Sequence, residues 1–286
     1  MKNLITIVVP TFNRKDLLEK CLKSIDDQSC KNYLVIISDN CSSDATADFL
    51  AENYAGKENY TINRNTSNIG LVNNINKALS MVKTPWATIL SDDDYLDDDF
   101  IQKLDNIIKN CDKDFIAFSH REVNNECQTI SEYKLPDLDL NVEESFEMLF
   151  SKAAFGALPT AGISGFAFKQ DIITDATLKD YFMGFYSDTF LVISSISQKG
   201  AKLVSDVLYN RRQWEGAESS RVMKSVKLLY GMYKSNHCFK HDLLECWQKV
   251  KQKYKIDNTG LDNKIRKYCK SNYLLELISR RLLKLN

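Results

Sequence analysis

Four times within the first hundred residues a short apolar run gives way to a helical repeat, and this alternation constrains the fold more than any other feature of the chain. Leu4 to Pro10 is a buried-strand pattern stopped by proline, and Asp16 to Ile25 then places apolar residues at helical spacing. Tyr33 to Ile37, Asn59 to Ile62 and Trp86 to Leu90 are three further strands, with helical segments at 45–54 and 71–79 between them. Such a succession predicts an α/β fold, a mostly parallel sheet covered by helices on both faces. In open α/β sheets ligands bind beyond the carboxyl ends of the strands, so Thr11, Asp39 and Asp92 to Asp94, each following a strand, should gather at one edge.

The acid run at that edge, Ser91-Asp92-Asp93-Asp94, demands a physical account. Adjacent carboxylates repel one another unless a cation shares the site, and hard ions such as Mg²⁺ or Mn²⁺ are held by one or two carboxylates together with phosphate oxygens. A solvated acidic loop is the alternative. No GxGxxG follows the first strand and no GxxxxGKS/T occurs, so a nucleotide at this edge would be held by side chains and a metal. Asp39 can accept a hydrogen bond from a base N–H. Asp44 is expected to cap the helix that follows it.

Farther on the pattern loosens. Phe115 to Ser119 reads as a strand and 124–140 as a long polar loop. Val142 to Phe150 is helical, and 156–165 is a glycine-containing loop. Asp188 lies in an otherwise aromatic and aliphatic stretch, where an acid needs a partner or a job. It is either a general base for an acceptor hydroxyl or half of a salt bridge with Arg211 or Arg212. His120 and Arg121 follow a strand and are candidate substrate contacts, and Trp214 either stacks on a sugar face or packs.

Charge is distributed unevenly along a chain of zero net charge. Residues 221 to 286 carry 16 basic and 5 acidic side chains, net +11, leaving 22 basic and 33 acidic, net −11, before them. The basic stretch from Lys264 to Lys284, interleaved with Leu, Ile and Tyr, is expected either to attract an anionic membrane surface or to pack on the preceding domain. Its pattern does not suggest nucleic acid. Eight cysteines without CxxC pairing and a start lacking a signal-peptide pattern are the usage of reduced, cytoplasmic thiols.

Taken in order, these motifs make the chain resemble the inverting family-2 glycosyltransferases of the GT-A fold, the nucleotide-diphospho-sugar transferase architecture. Val8-Val9-Pro10-Thr11-Phe12-Asn13-Arg14 is similar to that family's VxxPxYN opening, and Ser38-Asp39-Asn40-Cys41-Ser42-Ser43-Asp44-Ala45-Thr46 to its DDGSxDxT segment. Asn68-Ile69-Gly70 is similar to its NxG, and Asp92-Asp93-Asp94 takes the place of its DxD. Glycine-containing 162–165 looks like its acceptor-side segment, Tyr186-Ser187-Asp188 its Glu-Asp, and 209–220 its YRxHxxSxS region.

The resemblance implies a GT-A domain over 1–215, a Rossmann-like mixed sheet with helices on both faces, and a basic helical appendage over 216–286. It implies nucleotide-sugar contacts from Pro10, Thr11, Asn13, Arg14, Asp39, Asn68, Gly70, Asp92 and Asp93, with a Mn²⁺ or Mg²⁺ ion on Asp94 and Asp92. Asp188 becomes the catalytic base, and His120, Arg121, Gly165, Arg211, Arg212 and Trp214 candidate contacts to acceptor or diphosphate. The implied reaction moves a sugar, with UDP the expected carrier, to a saccharide hydroxyl on a lipid carrier in surface-polysaccharide synthesis, at the inner membrane face. Three positions depart from the family pattern: Ser38 replaces an Asp, Ser187 a Glu, and the region around Trp214 lacks the usual histidine. A nucleotidyltransferase and a non-catalytic nucleotide-sugar or glycan-binding protein are the competing readings.

Overall fold

The computed structural model describes residues 4–150, 163–175, 178–179, 187–214 and 226–270. Among them a ten-stranded sheet runs in the order β3-β2-β1-β4-β9-β6-β10-β5, with β7 added beside β6 and β8 beside β10. Its first half is the expected parallel unit: β1 (Ile5–Thr11) lies between β2 (Tyr33–Asp39) and β4 (Trp86–Ile89), with β3 (Tyr60–Arg64) outside β2. Strand β9 (Phe166–Lys169) then enters antiparallel between β4 and β6 (Phe115–Val123), and β6 pairs in parallel with β10 (Ala201–Arg212). Two antiparallel steps restore direction, so β6 and β10 end at the same edge as β1, β2 and β4. The short β5 (Tyr95–Leu96) runs back along β10 from that edge.

Side-chain alternation on the strands feeds two cores. Ile5, Ile7 and Val9 of β1 face α1 (Lys15–Asp26), α2 (Thr46–Asn53) and α4 (Phe100–Lys109), burying Leu18, Leu22, Leu50, Phe100 and Leu104. Val8 and Ile36 face the opposite layer, built from α3 (Leu71–Leu79), α5 (Val142–Leu149) and α7 (Ser187–Lys199). Helix α6 (Gln170–Asp175) follows β9 directly. The C-terminal helices α8 (Val226–Tyr254) and α9 (Thr259–Lys270) join the second core: Phe239, Leu243, Trp247, Val250, Leu261 and Ile265 are buried with Phe146 and Leu149. The basic Lys264, Arg266 and Lys267 of α9 stay exposed. The expected boundary at 215 and the basic stretch beyond 270 lie outside the described residues.

One expectation needs correction. The segment 124–140 is not a long loop but holds β7 (Thr129–Tyr133) and β8 (Leu138–Leu140), which extend the sheet beside β6 and β10. Four of the five β7 residues are exposed, so ladder hydrogen bonds rather than burial hold this strand, and no apolar alternation announces it. Helix α7 ends at Gly200, whose φ of +82° and whose absent Cβ, which would lie 2.1 Å from the Leu140 carbonyl oxygen, permit the sharp return into β10.

Candidate active site at the carboxyl edge of the sheet

Each strand that ends at this edge delivers side chains to it. β1 supplies Thr11, β2 Asp39, the turn after β4 Asp92 to Asp94, β6 His120 and Arg121, and β10 Tyr209 to Arg212. The turn before antiparallel β9 brings Ser164 and Gly165, and α7, which runs back to the far edge before β10 begins, leaves Asp188 in its first turn.

The first two loops are tied to one another. Asn13, in the left-handed region at φ +52°, accepts from the Ser43 amide at 2.7 Å and donates its own amide to Ser42 Oγ at 2.9 Å. Asp44 fulfils its capping expectation and does more: Oδ1 accepts from the Thr46 amide that opens α2, and Oδ2 from the Lys15 amide that opens α1. Asp39 is buried, with Oδ1 taken by the Ser42 amide and Oδ2 without a hydrogen bond, 3.5 Å from Arg64 Nε. Beneath it lies a network of side-chain amides and hydroxyls, into which Lys77 Nζ donates at Asn65 Oδ1, 2.7 Å away. Asn74 bonds Ser38 through its Oδ1 and Nδ2, Asn63 donates to Ser38 Oγ, and Asn65 reaches Asn40 and Asn74. Asn40 in turn holds Asn68 and the Ile69 amide, and Asn68 holds the Gly70 amide. Ser38, where the family pattern has an acid, therefore sits among side-chain amides, bonded to Asn74 and Asn63. Asn74 on the buried face of α3, next to Ile75 and Ala78, was the available signal: a polar residue inside an apolar stripe.

The acid run is not a solvated loop. Asp92 and Asp94 are buried, and burial, with Asp93 beside them, pushes both carboxyls above their ordinary range. Asp92 accepts from Thr11 Oγ1 at 2.8 Å and Arg14 at 2.9 Å. Asp93 meets Trp214 Nε1 at 3.0 Å and Arg14 at 3.4 Å, and the Arg14 guanidinium stands 5.4 Å from the Trp214 ring centre. Asp94 accepts from Ser164 Oγ at 2.7 Å and from the Arg212 amide at 3.0 Å, and Ser164 Oγ also accepts from the Ser91 amide. Arg212 bonds the Asp93 carbonyl through Nε and the carbonyls of Asn124 and Asn125 through its terminal nitrogen. Ser164 and these closures join β4 to β9 and β10, which no local motif foretells.

The remaining residues divide. Among the described residues neither Arg211 nor Arg212 forms a salt bridge with Asp188: Arg211 pairs with Glu122 at 3.4 Å, although its charge is felt by both Asp188 and Asp94. Asp188 is half-buried and raised by burial, with the Thr189 amide and hydroxyl both on Oδ1. Arg121 is engaged by Asp97 at 2.7 Å and Glu132 at 3.4 Å. His120 is buried between the rings of Tyr133 and Tyr209, and both its Nδ1 and the Tyr209 hydroxyl lack a hydrogen-bond partner. A separate exposed trio on α8, His241, Asp242 and Glu245, brings ligand atoms within 4.8 Å of one another. It lies away from this edge, and its acids already pair with Lys179 and Lys249.

Burial and the nearby Arg211 lower His120 to about 4. An unfolded chain protonates this histidine near pH 6.5, whereas the folded one resists until about 4, so stability should fall as pH falls through that window. The loss is on the order of 2 kcal/mol. Urea unfolding at pH 7 and pH 4.5 should show it in the wild type and a smaller loss in His120→Phe; equal losses would mean that His120 is not the group involved.

Comparison with known proteins gives this geometry a lineage. The chain is 37% identical over 94 residues to the GalNAc(5)-diNAcBac-PP-undecaprenol beta-1,3-glucosyltransferase of Campylobacter jejuni, covering 32% of this chain and 30% of that protein. It is 30% identical over 102 residues to the putative teichuronic acid biosynthesis glycosyltransferase TuaG of Bacillus subtilis, covering 36% and 40%. Each match thus spans less than half of the relative. The fold is shared with S. aureus TarS 1-349 in complex with UDP, at a TM-score of 0.68 and 16% identity over 93% of this chain and 70% of that one. The pattern of the family described as glycosyl transferase family 2 matches residues 6–174, more than half of the sequence. By that match, and by the strand edge on which its motifs converge, the chain belongs to glycosyl transferase family 2.

Proposed function

We propose that this protein transfers a sugar from a uridine-diphospho-sugar to a hydroxyl of a saccharide acceptor, with inversion at the anomeric carbon. The observation that carries the reading is the acid run at the carboxyl edge of the sheet, where Asp92 and Asp94 are buried and held in place by Thr11, Arg14, Ser164 and the Arg212 amide. Asp39 supports a pyrimidine base that offers an N–H, since its Oδ2 is a buried acceptor with no hydrogen bond and Arg64 beside it can serve a ring carbonyl.

The chemistry of the acid run fits a divalent cation. Asp94 is a buried carboxylate with no ion pair among the described residues, and its two hydrogen bonds leave a lone pair on each oxygen, a hard donor set of the kind Mg²⁺ and Mn²⁺ take. Asp94 would hold the ion, with Asp92 beside it. When bound, such an ion neutralises charge on the leaving diphosphate. The chain's own residues supply the rest: Asp188 takes the proton of the attacking hydroxyl, Arg211 stabilises the anion that departs, and Thr11 fixes Asp92.

The acceptor is proposed to be a lipid-linked saccharide of a surface polymer, by analogy with a relative named for an undecaprenol-diphosphate substrate and another for teichuronic acid. The exposed Lys264, Arg266 and Lys267 and the basic sequence after them support docking at an anionic, inner-face membrane. No helix among the described residues is long and apolar enough to cross a bilayer. Truncation after Ile256 should abolish sedimentation with phosphatidylglycerol vesicles; unchanged sedimentation would end the membrane proposal.

Calorimetric titration with UDP, CDP, GDP and dTDP, each with and without Mn²⁺, tests the donor. Binding of UDP that requires Mn²⁺ is expected. If no nucleotide binds in a metal-dependent way, the proposed donor site is wrong.

A further inference from the structure

Arg14 is an unexpected neighbour for a metal-binding edge. It sits at the start of α1, yet its guanidinium reaches across the edge to Asp92 Oδ1 at 2.9 Å and Asp93 Oδ2 at 3.4 Å. Trp214, just after β10, donates to the same Asp93 oxygen at 3.0 Å and lies under the guanidinium, 5.4 Å from it. One cation from the turn after β1 and one indole from beyond β10 thus close over two acids of the run, while the third, Asp94, keeps only hydrogen bonds among the described residues.

From this geometry we infer that Arg14 is the resident counter-ion of the acidic edge, and that its guanidinium and a divalent cation are alternative partners for Asp92. The inference rests on the metal-dependent donor site proposed above and adds to it an exchange. In the protein without donor, Arg14 neutralises carboxylates that would otherwise repel one another. A second cation arriving at Asp94 and Asp92 meets a positive group already in place, so a metal alone should bind weakly. A diphosphate changes the balance: it offers Arg14 a new anionic partner, for which the planar guanidinium is suited bidentately. Nucleotide and metal should therefore each favour the other, with Arg14 moving from carboxylate to phosphate. Trp214 is the built-in reporter. Losing the guanidinium over its ring and from the Asp93 oxygen they share must alter the environment of its indole, whereas Trp86 and Trp247 are buried in the cores.

The exchange separates Arg14 from a residue that merely binds donor. Loss of an ordinary donor contact would weaken UDP and leave the affinity for metal alone unchanged. Loss of a resident counter-ion should strengthen metal binding in the absence of nucleotide, because the competitor is gone, and should shrink the increase in metal affinity that UDP produces. Arg14→Lys keeps the charge and should remain close to wild type in metal binding, although it lacks the fork that pairs a diphosphate.

Free Mn²⁺ measured by electron paramagnetic resonance, with and without UDP, reads both effects on the full chain. Arg14→Gln is expected to bind Mn²⁺ alone about tenfold more tightly than the wild type, with a correspondingly smaller gain on adding UDP. Adding Mn²⁺ and UDP to the wild type should change the indole fluorescence, and Trp214→Phe should lose that change. If the wild type binds Mn²⁺ with UDP but Arg14→Gln binds Mn²⁺ alone no more tightly than wild type does, the counter-ion role is overturned while the donor site stands. If the wild type takes up no Mn²⁺ even with UDP, the metal-dependent site and this inference fall together.

Discussion

Asp188→Asn should lower the rate of sugar transfer by about 10²- to 10⁴-fold, the range a positioned general base contributes, while UDP affinity in the presence of Mn²⁺ stays within about twofold. The reason is local. Asp188 lies in the first turn of α7, with Oδ1 occupied by the Thr189 amide and hydroxyl, so Oδ2 is the oxygen that the proposed base would offer to an acceptor hydroxyl. Asparagine keeps an oxygen for the Thr189 amide and preserves the helix start, but it has no basic oxygen to offer. Because burial raises the Asp188 carboxyl, the substitution should cost little stability, since it removes a charge that the site disfavours. The same burial sets the pH profile: the acid limb of kcat/KM should fall at a higher pH than an ordinary carboxylate would give, held back by the opposing charge of Arg211. Single-turnover kinetics with a UDP-sugar and thermal melts of both proteins make the comparison. Transfer that survives in Asp188→Asn would assign the proton to another group; a variant that unfolds would make Asp188 a structural residue.

The legible and illegible parts of this fold differ in the range of the forces that make them. Strands β1, β2 and β4 could be found within a residue or two because both of their faces are buried, so each appears as an apolar run that ends where polar residues begin, at Thr11, Asp39 and Asp92. Strand β7 escaped because its residues are solvent-facing and its stability comes from pairing with β6. The acids of the edge were legible for the same reason as the strands: three carboxylates at the end of an apolar run have few uses. Their partners were not. Ser164 reaches Asp94 over a separation of 70 residues, and the Arg212 amide over 118, because β9 and β10 insert beside β4 and β6, a choice of strand order that no local pattern encodes. His120 shows the limit of reading by position alone. A histidine at a strand end suggested a substrate contact, yet its neighbours across the sheet are Tyr133 and Tyr209, and its buried ring is stacked on Tyr209 and tilted against Tyr133.

Asp94→Asn is expected to abolish metal-dependent UDP binding and to reduce transfer by about 10³-fold, the scale on which removing a preorganised electrostatic group acts, without loss of fold. The carboxylate is held rather than mobile: Ser164 Oγ and the Arg212 amide each occupy one of its oxygens, so it meets a donor already in place. An asparagine can keep the Arg212 amide on its oxygen and turn its NH₂ toward Ser164 Oγ, which can accept in place of donating. Burial and the adjacent Asp93 disfavour the charge of Asp94 in the empty site, so its removal should leave the melting temperature without ligand unchanged or raised. With Mn²⁺ and UDP added, the order should reverse: the wild type gains stability by ligand binding and the variant does not. This crossing of two melting curves, one set by a disfavoured buried charge and the other by the ligand that justifies it, distinguishes a binding carboxylate from a packing one. Loss of stability without ligand, together with an undiminished shift on adding Mn²⁺ and UDP, would place the role of Asp94 in the fold and leave the ion to be held elsewhere.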